Sequence, residues 1–246
     1  MKQRWWDYVI LVVGMLVLWQ LTFYVVGPDA ITPPLQTVQQ LQILIAQDDF
    51  WDNVKATGIA FSYACVLALV GGLLTGVLIG SSKMADQILS PILGTLYSVP
   101  KIVLYPVILL IFGLGMPAKV AFGALHGFFP VALFAIGAIR NIPPVLLRTS
   151  RVMNLTWSSL ARSILLPAAW PEIVTGLRIG FSTTLLGTLI GELFASNAGL
   201  GFMLMRAMDI HDVPDIMALT LLLFLIATGA NTIILAIENR VHAHAR

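Results

Sequence analysis

At 246 residues, with 58% hydrophobic and only 11% charged side chains and a mean hydropathy of +0.90, the chain has too little polar surface to dissolve as a single globule. A formal charge of +2 gives no grounds for a nucleic-acid surface, and a lone cysteine, Cys65, excludes an intrachain disulfide and a cysteine-based metal site. What remains is an all-helical membrane protein.

A helix needs about 20 largely apolar residues to cross the hydrocarbon of a bilayer. Six segments reach that length: about Tyr8 to Gly27, Ala56 to Gly80, Ile88 to Phe112, Ala118 to Ile139, Ile173 to Ser196 and Ile216 to Ile237. Lys2 and Arg4 precede the first run like the start of a signal peptide. The run is too long for one and lacks a small-x-small cleavage site, so it reads as a retained span. Pro28, Pro33 and Pro34 then break the helix. Leu35, Val38, Leu41, Leu44 and Ile45 follow at helical spacing and predict a short amphipathic helix along the outer interface.

The second span holds Cys65 as a small core residue, with Gly72, Gly76 and Gly80 at intervals of four. The fifth holds Gly176 and Gly180, then Gly187 and Gly191. Small faces of this kind let helices approach closely in lipid, within one chain or between two copies. The chain has no linker, low-complexity segment or long repeat, and reads as one transmembrane domain over residues 1–246.

Basic residues are held on the cytoplasmic side. With six spans, Lys2, Arg4, Lys83, Arg140, Arg148, Arg151, Arg162, Arg240 and Arg246 share the face of the termini, against Lys55, Lys119 and Arg206 opposite. Nine against three predicts both termini in the cytoplasm. Asp29, Asp48, Asp49, Asp52, Asp209, Asp212 and Asp215 gather on the outer face.

Charge inside a membrane is costly and commonly functional. Lys101 follows Pro100 midway along the third span, where it either meets an anionic solute or satisfies a backbone broken by proline. His126 in the fourth span reads as a hydrogen-bonded interhelical residue. Arg178 in the fifth either snorkels to the headgroups or bonds the loop before it. Glu192, toward the outer end of the same span, is placed to pair with Lys101 or Lys119. Thr184, Thr188 and Glu192 recur every four residues as a polar stripe that lines a solute path or bonds neighbouring helices. Lys101, Thr184, Thr188 and Glu192 are therefore the candidates for a translocation path.

Catalytic and metal-binding templates are missing. There is no Gly-x-x-x-x-Gly-Lys-[Ser/Thr] phosphate loop, no His-Glu-x-x-His helix and no Gly-x-Ser-x-Gly elbow. Energy for transport must come from another chain or from an ion gradient.

The loop of about 140–172 carries charge between two apolar spans. Its Arg148-Thr149-Ser150, then Asn154, then Ile164-Leu165-Leu166-Pro167 resembles the cytoplasmic coupling loop of ABC importer permeases: Glu-Ala-Ala, three residues, Gly, nine residues, Ile-x-Leu-Pro. Ser98-Val99-Pro100-Lys101, Phe112-Gly113-Leu114-Gly115, Phe128-Phe129-Pro130, Leu166-Pro167-Ala168-Ala169-Trp170-Pro171, Gly176-Leu177-Arg178 and Gly191-Glu192 leading to Gly199-Leu200-Gly201 extend the resemblance from about Thr32 to Glu238. The chain resembles the nitrate, sulfonate, taurine and bicarbonate branch of that family.

The resemblance implies a type I importer permease fold in a bacterial inner membrane and a homodimer working by alternating access. It implies two cytoplasmic subunits that hold ATP and Mg, and an extracytoplasmic solute-binding protein. This chain would hold no cofactor or metal and catalyse no reaction. Arg148, Arg151, Met153, Asn154, Leu155, Trp157, Leu166 and Pro167 are the expected coupling residues, with Met153, Leu155 and Trp157 filling a groove on the ATPase. Asn154 stands where the pattern has glycine, and Asn is the non-glycine residue best suited to a left-handed joint. Arg148 inverts the charge of the pattern's Glu. The solute stays open among sulfonates, nitrate, taurine, thiamine precursors, riboflavin and aromatic acids. A secondary transporter is the first competing class, though no matching halves are visible. A six-span intramembrane protease is the second, without its nucleophile motif.

Overall fold

The computed structural model describes residues 5–154 and 156–244; Lys2, Arg4, Leu155 and Arg246 lie outside the described residues, as do the side chains of Arg151 and Trp157. Among the described residues eleven α-helices follow in order: α1 (Trp5–Val26), α2 (Pro34–Ile45), α3 (Asp48–Gly80), α4 (Lys83–Ser98), α5 (Tyr105–Phe112), α6 (Met116–Arg140), α7 (Pro144–Val152), α8 (Trp157–Leu160), α9 (Leu166–Ala195), α10 (Leu200–Asp209) and α11 (Val213–His244). A 3₁₀ turn, Lys101–Leu104, leads into α5, and a π turn, Ala161–Leu165, leads into α9.

The centre is a layered packing of α3, α6 and α9, and it is built on small residues. A side chain at Gly72 would strike the Phe128 carbonyl and Val131 on α6, and one at Gly76 would strike Ala135 and the Ala132 carbonyl. On the other side of α6, Gly176 lies against Phe134, Gly180 against Val131 and Gly187 against His126. The small faces therefore act within one chain. Ala60, Ala64 and Ala68 continue the buried stripe of α3. Where lipid tails are as apolar as the side chains, close backbone approach and the dispersion contacts it brings supply the attraction.

Among the described residues, five helices are long and apolar enough to cross a membrane: α1, α3, α6, the α9 helix with its preceding turns, and α11. The expected continuous span from Ile88 to Phe112 is not one helix. It divides into α4 and the 3₁₀–α5 segment, bent by 89° across Val99 and Pro100. Pro100 has no N–H to continue the ladder, and it drives the residue before it out of the helical region, with Val99 at ψ 131. Asp86 near the start of α4 lies 3.9 Å from Arg140 at one end of α6. The end of α5 leads through Gly113–Gly115 into Met116 at the other end of α6. The pair therefore runs from one end of α6 to the other, and counted as one broken span it brings the candidate spans among the described residues from five to six.

The amphipathic helix expected after the first span is α2. Its Leu41 and Leu44 join Phe50, Leu200, Ala207, Ala218 and Leu219 in a core cluster that also receives Leu222 and Met203. Leu35 and Val38 stay exposed, so the buried stripe is narrower than the apolar spacing. Gln40 Nε2 donates to Asp215 Oδ1 at 2.7 Å, fixing α2 to the start of α11. Helix α1 buries none of its residues and is tied to the loop before α2 by Trp19 Nε1 donating to the Thr32 carbonyl. An apolar helix exposed all round is at home in lipid.

Candidate functional site

Three sets of residues bear on function: a buried polar knot, the loop between α6 and α9, and the break between α4 and α5. The knot closes the Met116 end of the bundle. Glu192 is wholly buried, and its carboxylate meets Lys119 Nζ at 3.2 Å. Thr57 Oγ1 donates to it at 2.8 Å and the Gly201 N–H at 3.1 Å. Lys119 Nζ also donates to the Ala198 carbonyl at 2.9 Å. Thr57 Oγ1 in turn accepts the Leu200 N–H, and Asn53 Oδ1 accepts the Gly199 N–H at 2.7 Å. Tyr105 Oη donates to the Gly191 carbonyl at 2.6 Å.

One carboxylate thus gathers α3, α6, α9 and the first turn of α10, while Tyr105 brings in α5. Burying two charges is costly, and the cost is offset only when further hydrogen bonds satisfy them, as they do here. Gly199 sits at φ 125 directly over the Glu192 carboxylate, where a side chain would have no room. Of the two expected partners for Glu192, Lys119 is the actual one. Lys101 takes no part.

Thr184 and Thr188 are fully buried in the seam between α9 and α6. Thr184 Oγ1 donates to the Gly180 carbonyl at 2.7 Å and Thr188 Oγ1 to the Thr184 carbonyl at 2.9 Å. They lie against Gly127 and Gly123 of α6. The stripe is real, and in this conformation it faces protein; its hydroxyls bond the backbone of their own helix.

Arg178 neither snorkels nor bonds the loop. Its Nε lies 2.6 Å from Glu238 Oε2 on α11, and Thr175 Oγ1 donates to the other oxygen of that carboxylate. Sequence reasoning passed over Glu238 as a partner because it belongs to none of the quoted motifs and falls just after the last apolar run. His126 likewise differs from its expected role: Nδ1 bonds the Phe122 carbonyl of its own helix at 2.9 Å, while the ring packs on Gly187.

In the loop, α7 ends at Val152 and a turn through Met153 and Asn154 precedes α8. Asn154 has φ 47, the left-handed conformation expected of it, and no other described residue of the loop has positive φ. Thr156 Oγ1 accepts the Ser159 N–H and starts α8. Val152 is 82% exposed and Met153 63%, with Val145, Arg148 and Arg162 also at the surface. Leu166 and Pro167 are exposed at the start of α9, while Ala169 and Ile173 anchor that end of the helix against Ala138. The loop is thus held at its ends and presents apolar side chains among cations at its turn.

At the break, Lys101 Nζ donates to the Tyr97 carbonyl at 3.0 Å and lies 4.5 Å from the Tyr97 ring centre and 5.7 Å from that of Phe129. Among the described residues, no group of three or more His, Cys, Asp or Glu side chains is placed to hold a metal ion.

A helical bundle with a broken span, a buried knot at one end and a presented loop at the other defines a membrane permease subunit. Residues 68–246 match the family described as binding-protein-dependent transport system inner membrane component, and the chain belongs to it. It is therefore a permease subunit of an ABC importer. It is 30% identical to a probable ABC transporter permease protein of Haemophilus influenzae over 200 residues, covering 80% of this chain and 81% of that one. It is 27% identical to a putative aliphatic sulfonates transport permease of Bacillus subtilis over 219 residues, covering 88% and 79%. The fold matches a crystal structure of an amino acid ABC transporter with histidines at a TM-score of 0.61 and 20% identity, over 84% of this chain and 97% of that one.

Proposed function

We propose that two copies of this chain form the path of an inner-membrane importer for a small anionic solute, with both termini of each copy in the cytoplasm. Two ATP-hydrolysing subunits, which hold ATP and Mg, dock on the loops between α6 and α9, and an extracytoplasmic binding protein delivers the solute to the opposite face. The carrying observation is the loop: a left-handed turn at Asn154 presents Val152 and Met153 to solvent beside Arg148. Exposed apolar side chains on a chain that needs an external source of energy favour a docked partner. Burying Val152 and Met153 contributes about 1.5 to 3 kcal/mol each. Arg148 meets an acidic residue of the partner.

The anionic class is favoured by the likeness to the sulfonate permease and by the cation at the break. A chain with six spans and no internal duplication builds a two-sided path most simply by pairing with itself. ATP binding draws the two loops together and turns the path outward, and hydrolysis returns it. The knot at the far end moves as one body because its members lie on four helices. Native mass measurement of the purified complex should give two copies of this chain with two ATPase chains, and ATP hydrolysis should rise when the binding protein is added. A complex that carries no ATPase, or whose hydrolysis ignores every binding protein, would overturn the reading.

A further inference from the structure

We propose that Lys101 is an anion-binding group on the translocation path, taking the oxyanion of the solute at the middle of the membrane; this rests on the permease reading above. The depth follows from packing. Helix α6 runs the length of the bundle, Phe129 stands at its midpoint, and the Lys101 ammonium lies against the Phe129 ring. Half the hydrocarbon thickness is about 15 Å. That exceeds the reach of a lysine side chain, so snorkelling to the headgroups is not open to it.

The other described cations with a partner inside the bundle are neutralised, Lys119 by Glu192 and Arg178 by Glu238. Lys101 has no carboxylate partner among the described residues. Its recorded contacts are the Tyr97 carbonyl and two aromatic faces, which hold the ammonium while leaving donors unused. A charged group at this depth faces the bundle interior or a water-filled cavity.

A second observation points the same way. Val99 and Pro100 are irregular backbone at the same level, and the segment from Thr95 to Pro100 is exposed on the subunit. Non-helical backbone at membrane depth is tolerated only where protein covers it or water lines it. The face with the break is therefore not a lipid face. A cation on it that bonds only the Tyr97 carbonyl and two ring faces, with no carboxylate partner among the described residues, fits water and a passing anion: a sulfonate, a carboxylate or nitrate.

The test uses the complex with its ATPase subunits in lipid vesicles, carrying Cys65→Ala and Ser98→Cys. The rates of thiol modification are compared for a sulfonate-bearing and a trimethylammonium-bearing methanethiosulfonate reagent of similar size. The sulfonate reagent should react at least about tenfold faster in one nucleotide state, since a cation in a narrow cleft concentrates anions. Adding Lys101→Met should abolish the preference, and Lys101→Arg should keep it. An unreactive thiol in every state, as expected if a second copy or lipid covers the face, overturns the proposal. So does a preference unchanged by Lys101→Met. Retention of the ATPase subunits on each variant reports the permease reading separately.

Discussion

Removing one member of the Lys119–Glu192 pair leaves the other buried and uncompensated, which costs about 3 to 5 kcal/mol. Lys119→Met should therefore lower the melting temperature of the complex more than the double variant Lys119→Met, Glu192→Gln, in which a neutral amide still accepts from Thr57 and Gly201. Thermal unfolding of both in the same detergent checks this. A double variant less stable than the single one would mean that the carboxylate, and not the pair, organises the knot. At Asn154 the backbone decides: Asn154→Gly should leave transport intact, whereas Asn154→Val pays about 1 to 2 kcal/mol to hold a β-branched residue at φ 47 and should uncouple hydrolysis from uptake. The left-handed joint was legible because few residue types suit it. The partner of Arg178 was not, because a side chain of such reach selects among several helices and only tertiary packing decides.

Helices in this bundle meet through glycine, so their tolerance to added volume should vary sharply along the chain. A methyl group at Gly127 would strike Thr184 Oγ1 and the Gly180 carbonyl, while one at Gly94 would meet nothing within 4 Å. Gly127→Ala should destabilise by about 1 to 3 kcal/mol and Gly94→Ala should be neutral; equal melting temperatures for the two would contradict the tight seam of α6 and α9. The glycine rows were readable at intervals of four because that spacing keeps them on one helix face. The threonine stripe had the same spacing, but spacing does not say whether a hydroxyl bonds water, a neighbouring helix or its own carbonyl at the preceding turn. The broken span was half legible: Pro100 marks the interruption, but the 89° bend depends on how α4 and α5 pack against opposite halves of α6.

For the whole molecule, hydropathy accounts for most of the architecture, since a chain in lipid must pair its backbone within helices. What hydropathy omits is the set of buried polar contacts joining α3, α6, α9 and α10, each linking residues far apart in sequence, such as Thr57 and Glu192. These contacts make one end of the subunit a single body, while the loop at the other end leaves Val152 and Met153 exposed. The central claim is that this loop receives the force of ATP hydrolysis. The direct measurement is cross-linking from Met153→Cys, in a Cys65→Ala background, to single cysteines on the ATPase subunit across nucleotide states. A cross-link that forms in the intact complex and changes yield with nucleotide is the predicted result. No cross-link in any state, together with hydrolysis indifferent to Asn154→Val, would contradict it.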